Sequence, residues 1–132
     1  MEANKHSIFS ILNSGPVQFL LPVYQRQYCW DTEQWKQFWD DIIKMIKQPN
    51  KKGHFIGSIV NIATKSAPMD VKKYILIDGQ QRIATITLLA ILLRNHAREN
   101  TEETDLNAEK IRDELLTNNS YYKGNDRYKL LL

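Results

Sequence analysis

Tyr74-Ile-Leu-Ile-Asp-Gly-Gln-Gln-Arg-Ile-Ala-Thr85 sets the architecture of this chain, because an apolar strand runs into Asp78-Gly79 and a helix begins at once. The helix is read from about Gln80 to His96. Ile83, Ile86, Leu89, Ala90 and Leu93 recur at helical spacing and are joined by Leu88, Ile91 and Leu92, so it is apolar nearly all round and is expected to be central. Its apolar run is broken by Thr85 and Thr87 and is too short to span a membrane. The first turn of such a helix offers unpaired backbone N–H groups at the positive end of the dipole, an anion site by construction. Gly79 permits close backbone approach or a positive φ. Arg82 can add a bidentate contact, Gln80 and Gln81 can orient a water, and Asp78 can hold that water or a divalent cation. The plainer alternative is that Asp78 caps the helix while Arg82 pairs with a surface acid.

Upstream of this joint the pattern predicts a strand from His54 to Thr64 and another from Val71 to Ile77, separated by a turn at 65–70. Earlier still, a short helix over His6–Leu12 ends at Asn13-Ser14-Gly15-Pro16, and Val17–Val23 is apolar enough for a strand. Asp31 or Thr32 caps a helix to about Lys47, where Trp35, Phe38, Trp39, Ile42, Ile43 and Ile46 form a helical stripe read as core. Downstream, Asp105 is expected to cap a helix reaching Leu116. From Asn118 the sequence is polar, then ends at Leu130-Leu131-Leu132, which suggests a fragment of a longer protein. Three helical stretches and at least two strands give an α/β (α+β) class, a small mixed sheet packed by helices. A core at about 7–98 carries a helical extension at 105–117.

Composition narrows the class. The chain has 132 residues with 42% hydrophobic and 25% charged content, enough for one domain. It shows no signal-peptide layout, and its single Cys29 can build neither a disulfide nor a cysteine zinc site. A cytoplasmic, non-membrane protein is expected. Net charge is +6 over residues 1–98 and −3 over 99–132. A mildly basic body suits an anionic partner, nucleotide or nucleic acid, although on charge alone a solvated surface is the plainer reading.

The other informative tract is Pro22-Val-Tyr-Gln-Arg-Gln-Tyr-Cys-Trp-Asp31, in a region (19–39) that holds seven of the thirteen aromatic residues. Here Tyr24 and Tyr28 alternate with Gln25, Arg26 and Gln27, a loop suited to stacking on a base while contacting a phosphate or base edge. A packed aromatic loop with Arg26 on a ring is the alternative. Tyr24, Gln25 and Arg26 are expected to line one cleft with Gly79. Asp40-Asp41 reads as a solvated helical face, and His54 has no partner at ligand spacing. No Walker, nucleophile-elbow or His-Glu-x-x-His pattern occurs.

Together these tracts resemble the N-terminal domain of GmrSD-type restriction proteins (domain-of-unknown-function family 262). The matching residues are Tyr24-Gln25-Arg26 with Tyr28 and Trp30, Trp39-Asp40-Asp41-Ile42, His54-Phe55-Ile56-Gly57-Ser58, and Asp78-Gly79-Gln80-Gln81-Arg82 with Thr85. The resemblance implies a ParB/sulfiredoxin-like core whose Asp78–Arg82 turn serves a nucleotide site. It implies hydrolysis of a nucleoside triphosphate with Mg2+, Asp78, Gln80 and Gln81 being catalytic and Asp78 the metal contact. Gly79, Gln80, Gln81, Arg82, Thr85 and Arg26 would bind the phosphates, and the loop Tyr24, Gln25, Arg26 and Tyr28 would touch nucleotide or DNA. It further implies regulation of cleavage of modified or foreign phage DNA, as in SspE-like relatives. The resemblance places the nuclease in a C-terminal HNH-type domain or partner subunit; no His-Asn-His set can be assembled here, so these residues are not expected to cut DNA themselves, and a homodimer is also compatible. Two other classes stay open: a ParB-like DNA-sensing module that uses no nucleotide, and a scaffold whose motif residues only hold the fold.

Overall fold

The computed structural model describes residues 4–22, 28–48, 53, 55–119 and 121–131. Helix α1 (Ile8–Leu12) starts at Ser7, whose side chain accepts from the Ser10 N–H, and leads into strand β1 (Val17–Leu20). Helix α2 (Thr32–Lys47) begins with a capping box in which Asp31 and Gln34 satisfy each other's backbone N–H groups. Strands β2 (Val60–Ala63) and β3 (Lys72–Asp78) follow, then helix α3 (Gln80–Glu99). The chain closes with α4 (Ala108–Ile111), a π-helical turn at Arg112–Leu116, a 3-10 turn at Gly124–Arg127 and strand β4 (Leu130–Leu131).

The four strands form one mixed sheet in the order β2-β3-β1-β4. β1 runs parallel to β3, with Phe19 opposite Tyr74, and parallel to β4; β2 is antiparallel to β3. The Phe19 and Tyr74 rings stack with centroids 5.7 Å apart. Leu12, Val17, Phe19, Leu76 and Ile83 form the core, with Ile86, Leu115 and Leu130 packed on it. Thus α3 contributes Ile83 to the centre, as its pattern predicts. It also leaves Leu88, Leu92 and Leu93 exposed, because only one of its faces meets the sheet and the C-terminal helices.

The expected strand over 54–64 is shorter than its apolar pattern. Gly57 adopts φ +114°, and residues 55–59 run irregularly before β2 begins at Val60. The stripe on α2 is not core either. No residue of that helix is fully buried, and Trp35 and Trp39 are 47% and 51% exposed. The cap of the last helix is Asn107, whose Oδ1 accepts from Lys110 N–H, rather than Asp105.

The segment read simply as polar from Asn118 onward leads into the fourth strand of the sheet. Leu130 and Leu131 pair with Phe19 and Leu20, and this places Gln18, on the opposite face from Val17 and Phe19, beneath that segment. Gln18 is wholly buried, and its amide donates to the carbonyls of Asn125 and Tyr128. Asn118 behaves as a piece of strand: its Oδ1 accepts from Val17 N–H at 3.1 Å, while its Nδ2 donates to Val17 O at 3.0 Å and Asp126 O at 2.8 Å.

Lys129 is 4% exposed and donates from Nζ to the carbonyls of Leu12 and Glu114, at the C-terminal ends of α1 and the π-helical turn. An ammonium there complements two helix C-termini. Burial nevertheless pushes its pKa below the ordinary 10.5, only partly opposed by the Glu114 carboxylate. The unfolded chain therefore holds this proton more tightly than the folded one. Stability gained from deprotonation is present above about pH 10.5 and lost as the pH falls through the folded pKa. Denaturant titrations between pH 8 and pH 11 are expected to show the wild type gaining on Lys129→Met as the pH rises. A constant difference would contradict this assignment.

Candidate functional site

β3, an interior strand, ends at Asp78, and Gly79 turns the chain into α3 with φ +89°. Asp78 Oδ1 accepts from Gly79 N–H at 2.8 Å, so the carboxylate holds the turn itself. The first helical bond runs from Ile83 N–H to Gly79 O, so the ladder of α3 begins at the glycine and the positive end of its dipole lies at this turn. The close approach that Gly79 allows is to the chain's own backbone. A Cβ there would lie 3.2 Å from Ser58 O and 3.1 Å from Ile59 Cγ1.

The predicted polar residues take distinct places. Gln80 folds back, its amide donating to the carbonyls of Leu76 and Ile77 at the end of β3. Gln81 Oε1 accepts from Cys29 N–H at 2.8 Å. Thr85 is buried and donates to Gln81 O, and its Oγ1 lies 2.8 Å from Tyr28 Oη. Arg82 lies over Gly57, whose missing side chain makes room for the guanidinium, and its Nη1 donates to Ser58 O at 2.9 Å. Among the described residues this is the one hydrogen bond Arg82 makes, and a guanidinium carries five N–H donors. Tyr24, Gln25, Arg26 and His54 lie outside the described residues, and with them the expectation that Tyr24–Arg26 share a cleft with Gly79. Among the described residues, no three His, Cys, Asp or Glu side chains converge to hold a metal ion.

What the sequence reading misses is a cleft of about 350 Å³ between α2 and α3. Its walls are Trp30, Phe38, Ile42, Met45, Phe55, Ile56 and Ile86, and Arg82, Gln34, Gln37 and Asp41 supply polar groups. Trp30 meets Phe38 edge-on at 6.0 Å. The signal was in the α2 stripe, whose Phe38 and Ile42 face this cleft while Trp35 and Trp39 face outward; a stripe lining a cleft has the same period as one lining a core. The cleft gathers residues from all four tracts that carry the family resemblance (Trp30, Asp41-Ile42, Phe55-Ile56 and Arg82), with Ile8 of α1 beside them.

Among the described residues, no helix is long and apolar enough to cross a membrane. No curated protein matches the chain. The model of the GmrSD restriction endonuclease N-terminal domain, however, matches residues 6–131, nearly the whole length, and the chain belongs to that family.

Proposed function

We propose that this domain binds a nucleoside triphosphate in the cleft between α2 and α3 and, with Mg2+, hydrolyses it to regulate DNA restriction. The observation that carries the reading is the convergence of four distant tracts on one aromatic-walled cleft with a guanidinium at its rim. Sites for small ligands combine apolar walls with a few placed polar groups, and 350 Å³ is in the range of a nucleoside. Trp30 and Phe38 would hold the base, and Arg82 with the positive N-terminal end of α3 the phosphates. Mg2+ would supply charge neutralisation for the leaving phosphate; Asp78 is the carboxylate nearest that turn, and Gln81 the amide to orient water. The domain would act with an HNH-type nuclease domain or subunit on modified or foreign DNA. A second reading, a DNA-sensing module without nucleotide, is favoured by the half-exposed indoles of Trp35 and Trp39, which could stack on bases.

Calorimetric titration with ATP, GTP, CTP and UTP, with and without Mg2+, separates the two. At least one triphosphate is expected to bind, and Arg82→Ala is expected to weaken it by about 1.5–3 kcal/mol, the scale of a charge-assisted hydrogen bond. Binding of modified duplex alone, with no triphosphate bound, would favour the second reading.

A further inference from the structure

Trp35 does not line the cleft, yet hydrogen bonds tie it to the first turn of α3. Its Nε1–H donates to Tyr28 Oη at 2.6 Å, and the two rings stack at 6.5 Å. Tyr28 Oη lies 2.8 Å from Thr85 Oγ1, and Thr85 Oγ1 donates to Gln81 O at 2.8 Å. Counting protons gives the relay a direction. Thr85 spends its one hydroxyl hydrogen on the Gln81 carbonyl, so Tyr28 must donate to Thr85, and the indole N–H can only donate. The chain of donors runs from Trp35 through Tyr28 and Thr85 to α3. A second link runs beside it, from Cys29 N–H to Gln81 Oε1. Residues 28 and 29 are thereby pinned to α3, and the next residue is Trp30, whose ring forms part of the cleft wall.

We propose that Trp35 is a positioning residue which, through Tyr28 and Thr85, fixes Trp30 at the base-holding end of the cleft; the claim rests on the nucleotide reading above. Arg82 is held independently, by Gly57 and Ser58 on the other side. Breaking the relay therefore loosens the base end and leaves the phosphate end in place.

Trp35→Phe and Tyr28→Phe each keep an aromatic ring at the position; the first deletes the bond to Tyr28, and the second deletes both that bond and the one to Thr85. Both variants are expected to bind the preferred nucleoside triphosphate about 3- to 10-fold more weakly, the range of one or two lost hydrogen bonds. Their affinity for inorganic tripolyphosphate is expected to stay within about twofold of the wild type, since a phosphate-only probe does not use Trp30. A general structural weakening would lower both affinities together, and that result, or no change in either, would overturn the proposal. Should the wild type bind neither probe, the nucleotide reading fails, and the relay is judged by NMR on the unliganded protein. There the Trp35 indole N–H is expected to exchange slowly, and Tyr28→Phe to speed its exchange and shift the Trp30 indole resonance. An unmoved Trp30 resonance would overturn the positioning role. If Tyr28→Phe fails to fold, Trp35→Phe, on a half-exposed side chain, carries the affinity measurements and the Trp30 resonance shift.

Discussion

Asn118→Ala is expected to lower the stability of the domain by about 3 kcal/mol, read as a shift in the denaturant midpoint at unchanged slope. Three hydrogen bonds end on this one buried amide, and truncation strands Val17 N–H, Val17 O and Asp126 O. Each is a group whose orphaning typically costs about 1 kcal/mol or more. The effect reaches beyond the local turn because Asn118 joins β1 to the segment that supplies β4. Asn118→Asp separates hydrogen bonding from size. It keeps the acceptor for Val17 N–H but sets a carboxylate against two carbonyls, so it is expected to destabilise at least as much at neutral pH and less under acid. A loss below about 1 kcal/mol for the alanine variant would mean that water takes over the bonds.

Gly57→Ala is expected to damage both stability and the site. At φ +114° an L-residue is strained, which costs of order 1–3 kcal/mol. The new Cβ would also sit 2.7 Å from Arg82 Cζ, a separation that non-bonded atoms do not tolerate. The guanidinium is the mobile end of its side chain and would yield, abandoning Ser58 O. Triphosphate affinity is therefore expected to fall about as far as in Arg82→Ala, and the double variant should be no worse than either single one. Additive losses would show that Gly57 serves only the backbone.

Local chemistry made part of this molecule legible. Asp31, one of the two caps read for α2, is the cap that forms, and the apolar run into Asp78-Gly79 announces the joint between β3 and α3. The strand read over 54–64 is realised only as Val60–Ala63, because hydrophobicity cannot reveal that Gly57 takes a conformation incompatible with a ladder. β4 escaped because two residues carry no period; Leu130 and Leu131 become a strand only by pairing with Phe19 and Leu20, more than a hundred positions earlier. The α2 stripe was visible, but its role was not, since a helix lining a cleft and a helix lining a core obey the same spacing. For the site, residue types at the turn were readable, while their partners were not. Gln80 turned to the strand carbonyls, Gly79 to Ser58 and Ile59, and Tyr28 to Thr85, each a choice made by tertiary packing.

The most direct test of the nucleotide site is chemical-shift mapping of the isotopically labelled domain as a nucleoside triphosphate is added. Shifts are expected to concentrate on the Trp30 indole, Ile42, Ile56, Arg82 and Ile86, the residues that line the cleft from both helices and the intervening segment. No shift with any of the four triphosphates, or shifts gathered on a surface away from α2 and α3, would contradict it.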